Sequence, residues 1–395
     1  MLDAIRRVCS EGFRVFFLSA ALFGLFAGVV WGLLLARPGI GGGSFAMAPY
    51  LWHSHEMIFG YAGAAIGGFF LTAVPNWTGM PGARTVFITG AALVWLGGRV
   101  AMWYSGLLPA GLVAAVDLAF VPILASKIAS QLIKRPKPQN LMFLLFLLAV
   151  WVSNLMTHLE WTGLTGDTAF AGLRGGLLAV CAMIVVLGGR ITPAFTRNAM
   201  KRAGVPENRW PVSVQPVERA AVIGALVLPW LAIVPPVPGR LAGAVALGLG
   251  VVQAVRLARW RGLWTLNQPI LWSLHLGLSL LALGLVLWGA AQWGIGGEVA
   301  AVHMLGIGCV GTMTLAVMSR AALGHSGRAL VAPRPVAVAY GLMVLAALAR
   351  WAGAAADGLY LPLMELAAGL WSLAFVLFVL ALWPALTGPK VTTRG

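Results

Sequence analysis

The chain has 395 residues, of which 60% are hydrophobic and 10% charged, with a mean hydropathy of +0.90. This excludes an ordinary soluble domain and points to an all-α, polytopic integral membrane protein surrounded by lipid bilayer. The formal charge of +16 does not indicate a nucleic-acid partner, because the basic residues recur in alternate loops and form no single patch.

A hydrocarbon core about 30 Å thick needs about 20 apolar residues per crossing. Twelve runs qualify, and spans one to twelve are predicted at residues 14–36, 49–74, 85–104, 108–131, 139–161, 170–190, 217–234, 240–257, 269–291, 297–319, 335–352 and 359–386. The first run is too long for a signal-peptide core and has no clear cleavage site behind it, so it reads as a retained span. Arg6, Arg7 and Arg14 precede span one, and Arg84 follows span two. Lys127, Lys134, Arg135 and Lys137 lie at or after the end of span four. Arg197, Lys201, Arg202 and Arg209 lie in the connector after span six, Arg256, Arg259 and Arg261 follow span eight, Arg320, Arg328 and Arg334 follow span ten, and Lys390 and Arg394 end the chain. Arg37, Arg99, Arg174, Arg240 and Arg350 are assigned to the opposite side. By the positive-inside rule both termini are then cytoplasmic.

The longest connector, residues 191–216, is basic and contains proline. No soluble module is visible, and residues 1–395 read as a single integral membrane domain. Spans two, six and ten share a Gly-rich helix ending in a polar, turn-forming segment, which suggests three four-helix units. Gly60, Gly63, Gly67 and Gly68 on span two, with Gly306, Gly308 and Gly311 on span ten, would let backbones or a flat cofactor approach closely. Cys9, Cys181 and Cys309 have no CxxC spacing, so neither a disulfide framework nor a zinc site is implied.

The six histidines carry the chemistry, since imidazole in lipid is costly and normally has partners inside the protein. His53 and His55 lie about 12 Å and 9 Å outward of the midpoint of span two at 1.5 Å per residue. His303 lies about 8 Å outward on span ten and His158 about 12 Å outward on span five. His275 on span nine lies about 8 Å inward, and His325 falls in the cytoplasmic loop after span ten. Positions i and i+2 point to opposite sides of a helix, so His53 and His55 would serve different centres. His53, Glu56 and Met57 share a face at i, i+3 and i+4, a donor set suited to copper. His55 can pair across the bundle with His303, the arrangement of a bis-histidine haem. Glu56 also has a second role open to it, as a proton carrier. Each histidine could instead make a plain hydrogen bond between helices.

The stretch from Leu51 to Gly60 (LWHSHEMIFG), continuing to Phe70–Gly79 (FLTAVPNWTG), resembles the opening signature of the NnrS family. Further matching blocks are Asn154–His158, Gly188–Thr196, Gln268–Gly277, His303–Gly308, Gly311–Leu315 and Leu323–Arg328. The resemblance covers spans two to ten in order, and all six histidines fall on it. It implies a twelve-helix protein of the bacterial inner membrane that contains haem, of b type, and copper, and that is linked to nitric oxide metabolism and resistance to nitrosative stress. Depth and helical face, rather than the resemblance, put cofactor-binding residues at His55 and His303, metal-binding residues among His53, His55, His158, His275 and His303, and a catalytic proton carrier at Glu56. No CxxCH haem-attachment site is present, so reductase activity would draw on an external electron donor. Haem-copper oxidases and nitric oxide reductases are similar in architecture, but they place ligands on spans two, six, seven and ten, whereas spans six and seven here carry no histidine. A transporter or metal carrier with a transient histidine path, and a haem sensor or assembly factor without turnover, are the alternative classes.

Overall fold

In lipid a chain satisfies its backbone polar groups by closing each N–H within its own helix, and the computed structural model follows this throughout. It describes residues 2–37, 43–234, 239–355 and 358–391, and among them there is no strand; Arg394 lies outside them. Twelve helices are long and apolar enough to cross a membrane: Gly12–Ala36, Pro49–Thr78, Thr85–Trp103, Ala110–Leu132, Pro138–Trp161, Ala169–Arg202, Gln215–Ile233, Gly239–Ala258, Pro269–Ala291, Glu298–His325, Arg334–Ala355 and Tyr360–Thr387. They are spans one to twelve in the expected order. A short helix, Leu2–Ser10, precedes them.

Two expected loop starts are helical. Span six continues through Pro193 to Arg202, so the first half of the 191–216 connector is a helix. An interior proline loses its N–H donor and crowds the carbonyl four residues back, yet the helix persists here with Thr192 and Thr196 buried and Thr196 bonded to His275. Span ten likewise runs on to His325, whose ring lies 5.5 Å from Phe13. His325 is therefore the last residue of a packed helix and not part of a free loop.

Two stretches wind more widely, with i→i+5 bonding: Glu56–Ala62 in span two and Met304–Gly311 in span ten. Each begins directly after a histidine, His55 or His303. Such turns recur at functional sites because they re-aim the side chains around them, and reasoning at 100° per residue fails beyond Glu56 for that reason.

The chain's contacts group into two compact units. The first comprises Met1–Gly176, Arg320–Ala329 and Phe375–Gly395, the second Leu177–Ser319 and Leu330–Ala374. In the first, side chains occupy the glycine notches of span two. A Cβ on Gly68 would lie 2.6 Å from the Phe17 ring, and one on Gly60 would lie 2.5 Å from Arg99 Nη1. The buried Arg14 guanidinium ties span one to the end of span twelve through the carbonyls of Ala385, Leu386 and Gly388. In the second unit, spans eight and nine meet backbone to backbone: a Cβ on Gly289 would come 2.6 Å from the Gly243 carbonyl, and one on Gly250 would come 2.9 Å from that of Ala282. On span ten, Gly308 faces Leu280 and Ala347, and Gly311 faces Met343 and Trp371.

Gly68→Leu is expected to lower stability by about 1–3 kcal/mol through overpacking against Phe17. Gly90→Ala, with nothing within 4 Å of the added carbon, should instead raise it by about 0.5–1 kcal/mol through helix propensity. Thermal unfolding in detergent compares the two.

Candidate metal centre

A carboxylate in the middle of an apolar run must find partners inside the protein. Asp117 on span four finds four of them, and they join spans two to five within the first unit. Its Oδ1 accepts from Arg99 Nη2 on span three. Its Oδ2 accepts from Asn154 Nδ2 on span five at 2.8 Å and lies 2.9 Å from His158 Nε2 and 3.3 Å from His55 Nε2. Arg99 Nη1 donates to Glu56 Oε1 at 2.9 Å, so one guanidinium sits between two carboxylates. The planar guanidinium suits this, since it offers donors toward two acceptors at once.

His55 occupies the centre. Its Nδ1 lies 2.9 Å from Glu56 Oε1 and its Nε2 lies 2.8 Å from Asn154 Oδ1. Because Asn154 Nδ2 donates to Asp117, the amide presents its oxygen to His55. Both ring nitrogens thus face acceptors, and making both bonds requires two N–H groups, that is, an imidazolium. The His55 and Arg99 cations then offset the Glu56 and Asp117 anions. A neutral cluster is what burial demands, because an uncompensated charge in low dielectric costs several kcal/mol. None of these six residues is more than 7% exposed.

One ligand atom each from His55, Asp117 and His158 all lie within 4.8 Å of one another. Two imidazoles and a carboxylate form a donor set for a transition metal, and a monovalent ion such as Cu(I) could take the place of the His55 proton without changing the net charge. Glu56 Oε2 and Arg99 Nε are buried with no hydrogen-bond partner among the described residues. The Trp161 ring closes the cluster, 5.3 Å from His55 and 5.5 Å from His158.

Glu56, expected in a donor set with His53 and Met57, places its Oε1 against His55 and Arg99. His53 stacks on Trp31 at 4.3 Å and 14°. In the second unit, His303 Nδ1 lies 2.7 Å from the Val299 carbonyl, and His275 Nε2 lies 2.9 Å from Thr196 Oγ1 with its Nδ1 side against Gly262. His55 and His303 therefore belong to different units, each with its own partners. Asp117 escaped the sequence reading although an acidic residue within an apolar run was a usable signal. Arg99 was read as a loop charge, but its place inside the run 85–104 marked it as buried. Arg350 is corrected in the same way, since it is buried within span eleven.

Twelve membrane-length helices and a buried His/Asp/His group define a multi-pass membrane protein with a site suited to binding metal. The chain belongs to the NnrS protein family, whose family model matches residues 7–390. No curated protein matches it.

Removing Arg99 alone leaves two carboxylates with one cation, so Arg99→Met should destabilise the protein by about 3–5 kcal/mol. Adding Asp117→Asn should return part of that loss, with a coupling of about 1–3 kcal/mol in a double-mutant cycle measured by denaturation in mixed micelles. Additive losses would show that the pair does not interact.

Proposed function

We propose that the protein is a haem- and copper-bearing metalloprotein of the bacterial inner membrane that binds or reduces nitric oxide and so protects against nitrosative stress. The observation that carries the metal reading is the buried, charge-balanced group of His55, Asp117 and His158 with Arg99 and Glu56. Copper accepts imidazole and carboxylate ligands, and Asp117 and His158 are the residues we assign to it with His55. The link to nitric oxide comes from the family.

His303 is the proposed haem ligand. A carbonyl can only accept, so the bond to Val299 fixes the proton on Nδ1 and leaves the lone pair on Nε2. Metal-binding histidines are commonly oriented by such a bond on their other nitrogen. When bound, a haem held by His303 would supply an iron able to bind a diatomic gas. The chain's own groups supply protons: Glu56 and His55, 2.9 Å apart, hold an exchangeable proton beside the metal ligands. Electrons come from an external donor.

Absorption spectroscopy and metal analysis of the purified protein test this reading. A Soret band that shifts on adding nitric oxide, with iron and copper in stoichiometric amounts, is expected; absence of both metals overturns it. His158→Ala should weaken copper binding and leave iron unchanged. Because metal and proton compete at His55, copper loading of the metal-free protein should release about one proton per ion in a pH-stat.

A further inference from the structure

The second unit repeats the geometry around His55 without its acidic partners. In both units a histidine is followed by a wide i→i+5 turn, Glu56–Ala62 or Met304–Gly311. In both, that turn packs against the next span: Trp95 Nε1 of span three donates to the Gly60 carbonyl, and Gly308 and Met304 pack against Ala347 of span eleven. Shortly beyond this contact each of those spans carries a buried arginine, Arg99 or Arg350.

The two arginines differ in what they meet. Arg99 lies between Glu56 and Asp117. The residue after His303 is Met304, which is uncharged. Arg350 is 5% exposed, and its Nε and Nη1 are buried with no hydrogen-bond partner among the described residues. Its guanidinium carbon lies 5.8 Å from the centroid of the Tyr360 ring. Among the described residues no acid pairs with this guanidinium, and a buried guanidinium without a counter-charge ordinarily costs several kcal/mol.

The position narrows what supplies that charge. Arg350 lies three residues beyond Ala347, about 4.5 Å along the helix axis, and Ala347 packs on Met304, the neighbour of His303. A ligand seated at His303 would reach Arg350 with its periphery. Guanidinium favours carboxylate and phosphate groups, and haem b carries two carboxylates at its edge.

We propose that Arg350 binds a propionate carboxylate of the haem held by His303, the ligand taking the place that Glu56 and Asp117 fill beside Arg99. This rests on the haem reading above and deepens it. Arg350 is thereby a cofactor-binding residue that selects for a haem with free carboxylates.

The test titrates metal-free, full-length protein in detergent with haem b and with its dimethyl ester, following the Soret band. Wild type is expected to bind haem about tenfold or more tightly than the ester, the factor expected of one charge-assisted hydrogen bond. Arg350→Met is expected to bind both alike at the level of the ester, and Arg350→Lys to restore part of the preference. Equal affinity of wild type for the two compounds overturns the proposal without touching the haem reading, and this arm needs no variant to fold. A preference that survives in Arg350→Met overturns it as well. Failure of wild type to take up either compound overturns both the proposal and the haem reading.

Discussion

The Arg99 guanidinium held between Glu56 and Asp117 is the constraint on which the first unit's site depends. Each of the three charges alone would be prohibitively placed inside a membrane-spanning helix. Together with His55 they sum to zero, and the hydrogen bonds that achieve this tie spans two, three, four and five at one level. Removal of any member leaves its partners buried and charged, which is far costlier than losing the pair. The wide turn after His55 belongs to the same arrangement. It puts Glu56 beside His55 and Gly60 against Arg99, where a larger side chain would collide with the guanidinium.

Charge balance also explains how a site can be both tightly packed and receptive to metal. His55 carries two protons to satisfy the oxygens of Glu56 and Asn154, and a cation bound by Asp117 and His158 makes one of those protons redundant. Proton and metal are thereby alternatives within one cluster. The second unit presents the complementary case: a histidine, a wide turn and a buried arginine recur, but the acids do not. Where the first unit neutralises Arg99 from within the chain, Arg350 in the second has no acid paired with it among the described residues, the place proposed for a ligand carboxylate.

The helical architecture was legible because lipid imposes a simple rule, long apolar runs closed on themselves, and all twelve spans lie where hydropathy puts them. The ends of spans six and ten were less legible, because Pro193 and the polar residues near His325 resemble loop chemistry while tertiary packing keeps them helical. Of the site, His55, Glu56 and His158 were visible as costly groups in apolar runs. Their grouping was not, since it depends on Arg99 and Asp117 arriving from spans three and four, and no spacing along one helix encodes that. Glu56 itself was legible, but its bond to Arg99 was not, because that guanidinium comes from span three.

The central claim is that His55, Asp117 and His158 form a metal centre. X-ray absorption at the copper edge, on protein loaded with one copper per chain, tests it most directly. The account predicts a first shell of two imidazole nitrogens and one carboxylate oxygen at about 2.0 Å, with one imidazole lost in His158→Ala. A shell containing sulfur at about 2.3 Å, or an imidazole count unchanged by that substitution, would contradict it.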